Sequence, residues 1–160
     1  NLSLTDKWIL TKLNETIEEV RRNMDSYDFH NVGNTLYNFI WEDFCSSYIE
    51  LAKTNMNNTT KSVLLKTLTS ILKMLHPFMP YVTEEIYSML PIKDSESIMI
   101  AEYPKYSKKD IYKEESEKLE KVLEDIVAIR NLKATNKITK TALVNFECSS
   151  EDLINNLCYL

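Results

Sequence analysis

One glycine, Gly33, and four prolines are all that 160 residues offer for sharp turns. A β-sandwich or barrel needs many tight turns, and glycine and proline make most of them. Their scarcity directs this chain toward long helices. Hydrophobic residues form 44% of the sequence, enough for a packed core and too many for wholesale disorder. The length suits one domain with room for a short appendage. No apolar run approaches the roughly 18 residues that span a bilayer. The N-terminal residues lack the layout of a signal peptide, and a start at Asn1 is what a piece excised from a larger protein would have.

Periodicity places the elements. Ile9, Leu13, Ile17, Val20 and Met24 recur at helical spacing, which predicts a first helix over about 5–24. Asp6 suits its N-terminus, where the helix dipole favours negative charge. Residues 25–28, Asp-Ser-Tyr-Asp, read as a turn. A second helix over about 29–53 carries Val32, Leu36, Ile40, Phe44, Tyr48 and Leu51 on its stripe, broadened by Tyr37, Phe39 and Trp41. So wide an apolar face predicts the central helix of a bundle. It favours a core position for Tyr37 and Trp41 over the alternative of open stacking platforms, and makes Cys45 a buried, inert thiol.

The Asn-rich stretch 54–60 reads as a loop, with Asn58 or Thr59 capping a third helix that runs to about His76. Pro77 ends that helix, and His76 takes a packing or C-terminal capping role. Pro80 opens a short fourth helix over 81–90, which Pro91 stops. Residues 98–101, Ile-Met-Ile-Ala, read as a short extended piece. A fifth helix is predicted from near Ser107 to about Ala134. Residues 142–148 read as a strand, followed by a helix bearing Leu153, Ile154 and Leu157. The expected fold is mainly α: a helical bundle over 1–135, then a short C-terminal strand and helix over 136–160 that begin a truncated α/β appendage.

The chemistry is sparse. One glycine cannot build a phosphate loop, and His30 and His76 belong to no metal-binding pattern. Cys45, Cys148 and Cys158 are an odd number without ligand spacing, which suggests free thiols in a reducing compartment. The adjacent acids Glu42/Asp43 and Glu84/Glu85 point in different directions on a helix and read as solvated. No catalytic or metal constellation is expected. The net charge of −5 argues against a purely electrostatic nucleic-acid binder. Residues 126–146, however, hold Arg130, Lys133, Lys137 and Lys140 and no anion. A cationic strip on an acidic body suits selective contact.

One stretch is more specific. It reads Leu36-Tyr37-Asn38-Phe39-Ile40-Trp41-Glu42-Asp43-Phe44-Cys45 and continues Tyr48-Ile49-Glu50-Leu51-Ala52-Lys53. This resembles the central helix of the anticodon-binding domain of valyl-tRNA synthetases. In the same order, Asp6-Lys7-Trp8-Ile9-Leu10 with Lys12-Leu13-Asn14 resembles the family's first helix. His76-Pro77-Phe78-Met79-Pro80, Ser97-Ile98-Met99-Ile100-Ala101 and Ile129-Arg130-Asn131-Leu132-Lys133-Ala134 resemble later segments. The His-Pro-Phe-Met-Pro motif is shared with isoleucyl and leucyl relatives, whereas the Trp-Glu-Asp-Phe-Cys block points to valine. The chain departs from the family at Thr54-Asn55-Met56, where Pro and a basic residue are usual, and at Thr135, where an acid is usual.

The resemblance implies the helical anticodon-binding bundle of class I aminoacyl-tRNA synthetases. It implies a module that reads the anticodon and positions valine tRNA for a cytoplasmic parent enzyme. That enzyme's catalytic domain, in the same chain but outside these residues, would attach valine using ATP with Mg. No cofactor is implied in this stretch, and no membrane or DNA partner. The alternatives are an isoleucyl or leucyl relative, or a helical protein–protein interaction module.

Candidate RNA contacts follow. Lys7, Lys12 and Lys53 gather at one end if the first two helices form an antiparallel hairpin; otherwise each is merely solvated. Trp8 is either core or a stacking platform. Arg130 and Lys133, three apart, meet phosphate or an acidic neighbour. Valine anticodons carry A at the second letter and C at the third. Asn can pair bidentately with adenine, and Asp can accept from the cytosine amino group. Asn14, Asn38 and Asp43 are the candidates for those contacts.

Overall fold

The computed structural model describes residues 2–54 and 56–135. Every regular element among them is helical. The strand expected at 142–148 and the helix after it lie outside the described residues. No helix among the described residues is long and apolar enough to cross a membrane.

Helix α1 spans Leu4–Asp25. The Ser3 hydroxyl accepts from the Asp6 N–H and the Asp6 carboxylate accepts from the Ser3 N–H, both at 3.1 Å. This reciprocal cap satisfies two otherwise orphaned donors. α1 packs against the second helix, α4 (Asn58–Leu75) and α6 (Lys113–Thr135), and so takes the middle of the bundle that the sequence assigns to the second helix. Its short polar residues explain this. Thr11, Asn14 and Thr16 each donate to the carbonyl four residues back, on Lys7, Leu10 and Lys12, at 2.8–2.9 Å. Their polar atoms are satisfied within the helix, so these side chains can be buried alongside Ile9, Leu13 and Val20.

The second helix has three parts: α2 (Phe29–Asn38), a π-helical segment (Phe39–Tyr48) and α3 (Ile49–Lys53). Its predicted stripe repeats every four residues from Val32 to Tyr48. In an α-helix each such step overshoots a full turn by about 40°, so the stripe would wind around the cylinder. The wider π turn, closed five residues back, reverses that drift. Phe39, Phe44 and Tyr48 therefore all face inward, 2%, 5% and 0% exposed, while Ile40 is only half-buried.

A polar hub fixes the winding. Buried Asp6 accepts from the Tyr48 hydroxyl at 2.8 Å and from the Thr60 hydroxyl at 3.1 Å, tying α1 to the π segment and α4. Burial, and then Asp6, hold the Tyr48 hydroxyl far above its ordinary pKa.

The outer face of this helix corrects the expectation of a core position for three residues. Tyr37 and Trp41 are 63% and 57% exposed, and Cys45 is an exposed free thiol. With α1 in the middle, the second helix covers it from one side and leaves its far face open.

Helix α4 runs Asn58–Leu75 and is capped by Asn57, whose side chain accepts from the Thr60 N–H at 2.8 Å. The cap lies one residue before Asn58, the first of the two expected. His76 caps the C-terminal end, its ring Nδ1 2.8 Å from the Thr83 hydroxyl of α5 (Pro80–Ser88). Residues 98–100 are not extended. A lone strand leaves its backbone groups unpaired; instead Ile98–Ile100 makes a 3-10 turn that buries Ile98 against Leu72 and Tyr87. The last helix among the described residues, α6, starts at Lys113 and reaches Thr135, after a 3-10 turn at Lys108–Asp110. α1 delays it. Asn14 accepts from the Ser107 N–H at 2.8 Å and Thr11 accepts from the Tyr112 N–H at 2.9 Å, which hold the connection against α1.

Candidate RNA interface

Three of the nine candidates converge. Lys12 of α1, Asn38 at the end of α2 and Asp43 of the π segment line one cleft of about 260 Å³, with Thr16, Thr35 and Phe39. Asn38 and Asp43 are five apart, and the π turn is what carries residues five apart to one side. Beyond Asp43 a groove of about 520 Å³ opens between the π segment and α6, lined by Trp8, Lys12, Ser47, Glu120 and Leu123.

Lys12 sits between the two. Its ammonium lies 2.7 Å from Glu120 and 4.0 Å from Glu15. Burial opposes its charge, but the hydrogen bond and charge of Glu120, with Asp43 and Glu15, hold its pKa above the ordinary value. Burial pushes the Asp43 carboxyl up to about 6 against the pull of Lys12, and Glu120, Glu42 and Glu15 push the same way. At neutral pH Asp43 is thus an ionised acceptor in a partly dry cleft, suited to an amino group. Exposed Asn38 offers a donor and an acceptor together. Tyr37 and Trp41 stand open on the same helix and provide faces on which bases can stack.

The remaining candidates go elsewhere. Trp8 is core, 1% exposed, and its indole Nε1 has no hydrogen-bond partner among the described residues. Asn14 is 3% exposed and spends its amide on Leu10, Asp110 and Ser107, so it braces the connection rather than facing a base. Lys7 pairs with Glu115 at 2.7 Å, its ammonium 5.5 Å from the Tyr112 ring centre. Lys53 pairs with Glu50 at 2.6 Å. The expected gathering of Lys7, Lys12 and Lys53 is therefore divided among carboxylates, because α6 lays Glu115 and Glu120 against α1. Arg130 and Lys133 fall within α6, and their side chains lie outside the described residues. Among the described residues no cluster of His, Cys, Asp or Glu is placed to hold a metal ion.

The exposed pair Tyr37 and Trp41 is what reading the sequence misses as surface. The signal was present in the four-residue stripe, whose drift marks a helix that is not wound as a uniform α-helix.

Comparison with known proteins shows the family. The chain is 41% identical over 162 residues to a valine–tRNA ligase of Staphylococcus haemolyticus, an alignment covering 96% of the chain and 18% of that relative. It is 48% identical over 138 residues to one of Listeria monocytogenes, covering 82% of the chain and 16% of the relative. Another, of Staphylococcus saprophyticus, is 40% identical over 173 residues, covering 100% of the chain and 20% of the relative. The chain thus spans a fifth or less of the length of these relatives. Residues 6–147 match the family described as the anticodon-binding domain of tRNA ligase, and the chain belongs to that family.

Proposed function

We propose that this chain is the anticodon-reading part of a valine–tRNA ligase, a cytoplasmic enzyme that attaches valine to its tRNA using ATP with Mg. The observation that carries the reading is the meeting of Lys12, Asn38 and Asp43 in one cleft, on a helix that also exposes Tyr37 and Trp41. Asn38 has the amide that adenine requires, and Asp43 has the carboxylate that accepts from the cytosine amino group. Unstacked bases of the loop would stack on Trp41 and Tyr37. The charge of Lys12 favours the ionised form of Asp43 against the effect of burial. The name carried by relatives at 40–48% identity favours valine. The ATP-dependent chemistry would belong to the part of the parent enzyme that this chain does not cover. Residues 1–135 would act as the bundle and 136–160 as the start of an appendage.

The test is binding to valine tRNA and to the same tRNA with its second and third anticodon letters exchanged. Preference for the valine anticodon is expected at about 1–3 kcal/mol per base contact. Equal affinity for the two would contradict base readout by this chain.

A further inference from the structure

The reading cleft poses an electrostatic problem. Glu15 and Glu19 line it beside Asp43, and Glu42, Glu120 and Glu124 line the adjoining groove. Such a site can accept from base amino groups, but it repels phosphate. In RNA and DNA complexes phosphate contacts supply position and much of the affinity, while base contacts supply specificity. The phosphates must be held on another surface.

Helix α4 has the composition for it. Its 18 residues contain Lys61, Lys66 and Lys73 and no acid, in a chain of net charge −5. Ser62, Lys66, Thr69, Ser70 and Lys73 recur at helical spacing along the flank beside buried Val63, Thr67 and Ile71; Ser62 and Lys66 are exposed, whereas Lys73 is buried. That stripe borders a cleft of about 360 Å³ whose other wall is Ile92, Lys93 and Asp94.

The wall is fixed in place. Buried Lys73 donates to Asp94, and the Tyr87 hydroxyl donates to the same carboxylate. Lys73 first, then Tyr87, hold Asp94 below its ordinary pKa. This pins the loop to α4 and sets exposed Lys93 at the rim, its ammonium donating to the Ser88 carbonyl at 2.9 Å. At the other side Lys66 pairs with Asp110 at 2.6 Å, which brings the turn Lys108–Asp110 alongside with Lys108 and Lys109 exposed. The Lys66–Asp110 pair is partly solvated and holds Lys66 only weakly. An ammonium has three donors, so Lys66 keeps donors to spare.

We propose that this face, built on Lys66, Lys93 and Lys108, grips the phosphates of an RNA backbone without regard to sequence. It is a second contact, distinct from the Lys12–Asn38–Asp43 cleft, and it rests on the reading of the chain as an RNA binder. The protein would then divide its work, with the α4 face supplying affinity and the cleft supplying choice.

The test measures binding against salt for two ligands: valine tRNA, and an RNA duplex with no anticodon loop. The variant Lys66→Gln, Lys93→Gln, Lys108→Gln changes three exposed side chains and should melt like the wild type. It should bind both ligands more weakly. Its plot of log affinity against log salt should be shallower by roughly 0.7–0.9 for each phosphate no longer neutralised. Its anticodon preference should persist. Asn38→Ala should show the converse: wild-type slope and a reduced preference, with discrimination at the second anticodon letter lost and that of Asp43 at the third retained. Removing Lys113, Lys118 and Lys121 from α6 should leave the slope near wild type. An unchanged slope in the α4 variant, or an equal loss in the α6 control, overturns the proposal while leaving anticodon preference intact. A slope carried by the α4 lysines without any anticodon preference would instead uphold the phosphate face and refute the reading cleft. No RNA binding by the wild type would overturn both.

Discussion

The second helix has two faces of similar composition and opposite fate. Inward it presents Phe39, Phe44 and Tyr48, none more than 5% exposed; outward it presents Tyr37 and Trp41, both more than half exposed. Residue type cannot distinguish them, since each face is aromatic. Two physical facts do. The π winding turns residues four and five apart onto the inner side. The one inner side chain with a hydroxyl, Tyr48, finds Asp6, so burial leaves no polar group unpaired. Among the described residues no helix packs over the outer rings. The difference teaches that an aromatic stripe marks core only where a neighbouring element covers it, and here the neighbour covers one side.

The comparison can be broken at several strengths. Inside the bundle the largest effect is expected at Trp8 of α1, which is 1% exposed. Trp8→Ala should destabilise the protein by about 3–5 kcal/mol, read as a lower urea midpoint. A loss below about 1 kcal/mol would mean that Trp8 is not packed as core.

Asp43 stands between the faces and gives an intermediate effect of known sign. Its pKa rises from the ordinary 3.8 to about 6 on folding. The native state therefore binds this proton more tightly than the unfolded one. The resulting stabilisation is fully present below about pH 4 and is lost as pH rises through about 6. Asp43→Asn removes that dependence and should make the protein more stable than wild type above pH 6, by about 1–3 kcal/mol at most. Base reading should move in the opposite direction. The preference for the valine anticodon should fall as pH drops below about 6, because a protonated carboxyl loses its acceptor strength. Stability and preference that fall together with pH would remove Asp43 from the role assigned to it.

Much of this was legible in the residues. The stripe of Ile9, Leu13, Ile17 and Val20 fixes α1, and Pro77 and Pro80 mark the break between α4 and α5 because proline's geometry is local. Asn38 and Asp43 were identifiable as candidates for base contact by their chemistry. Their meeting with Lys12 was not, since it depends on a π turn and on how two helices cross. The burial of Asn14 was hidden for a related reason. An amide can serve a base or brace a loop, and only the path of residues 107–112 decides. Cys45 and Trp41 were misplaced because an apolar residue on a helix says nothing about whether a neighbour arrives to cover it. Ile98 and its neighbours have strand composition, yet a strand without a partner gives way to a turn.

On the proposed division of the second helix, its outer face serves binding and its inner face serves stability. Trp41→Ala separates the two, with unfolding and tRNA affinity measured on the same protein. Stability should change by no more than about 0.5 kcal/mol, and affinity should fall by about 1–3 kcal/mol, the contribution of one stacked base. A variant that unfolds at much lower denaturant yet binds valine tRNA as wild type does while folded would place Trp41 in the core and refute the division.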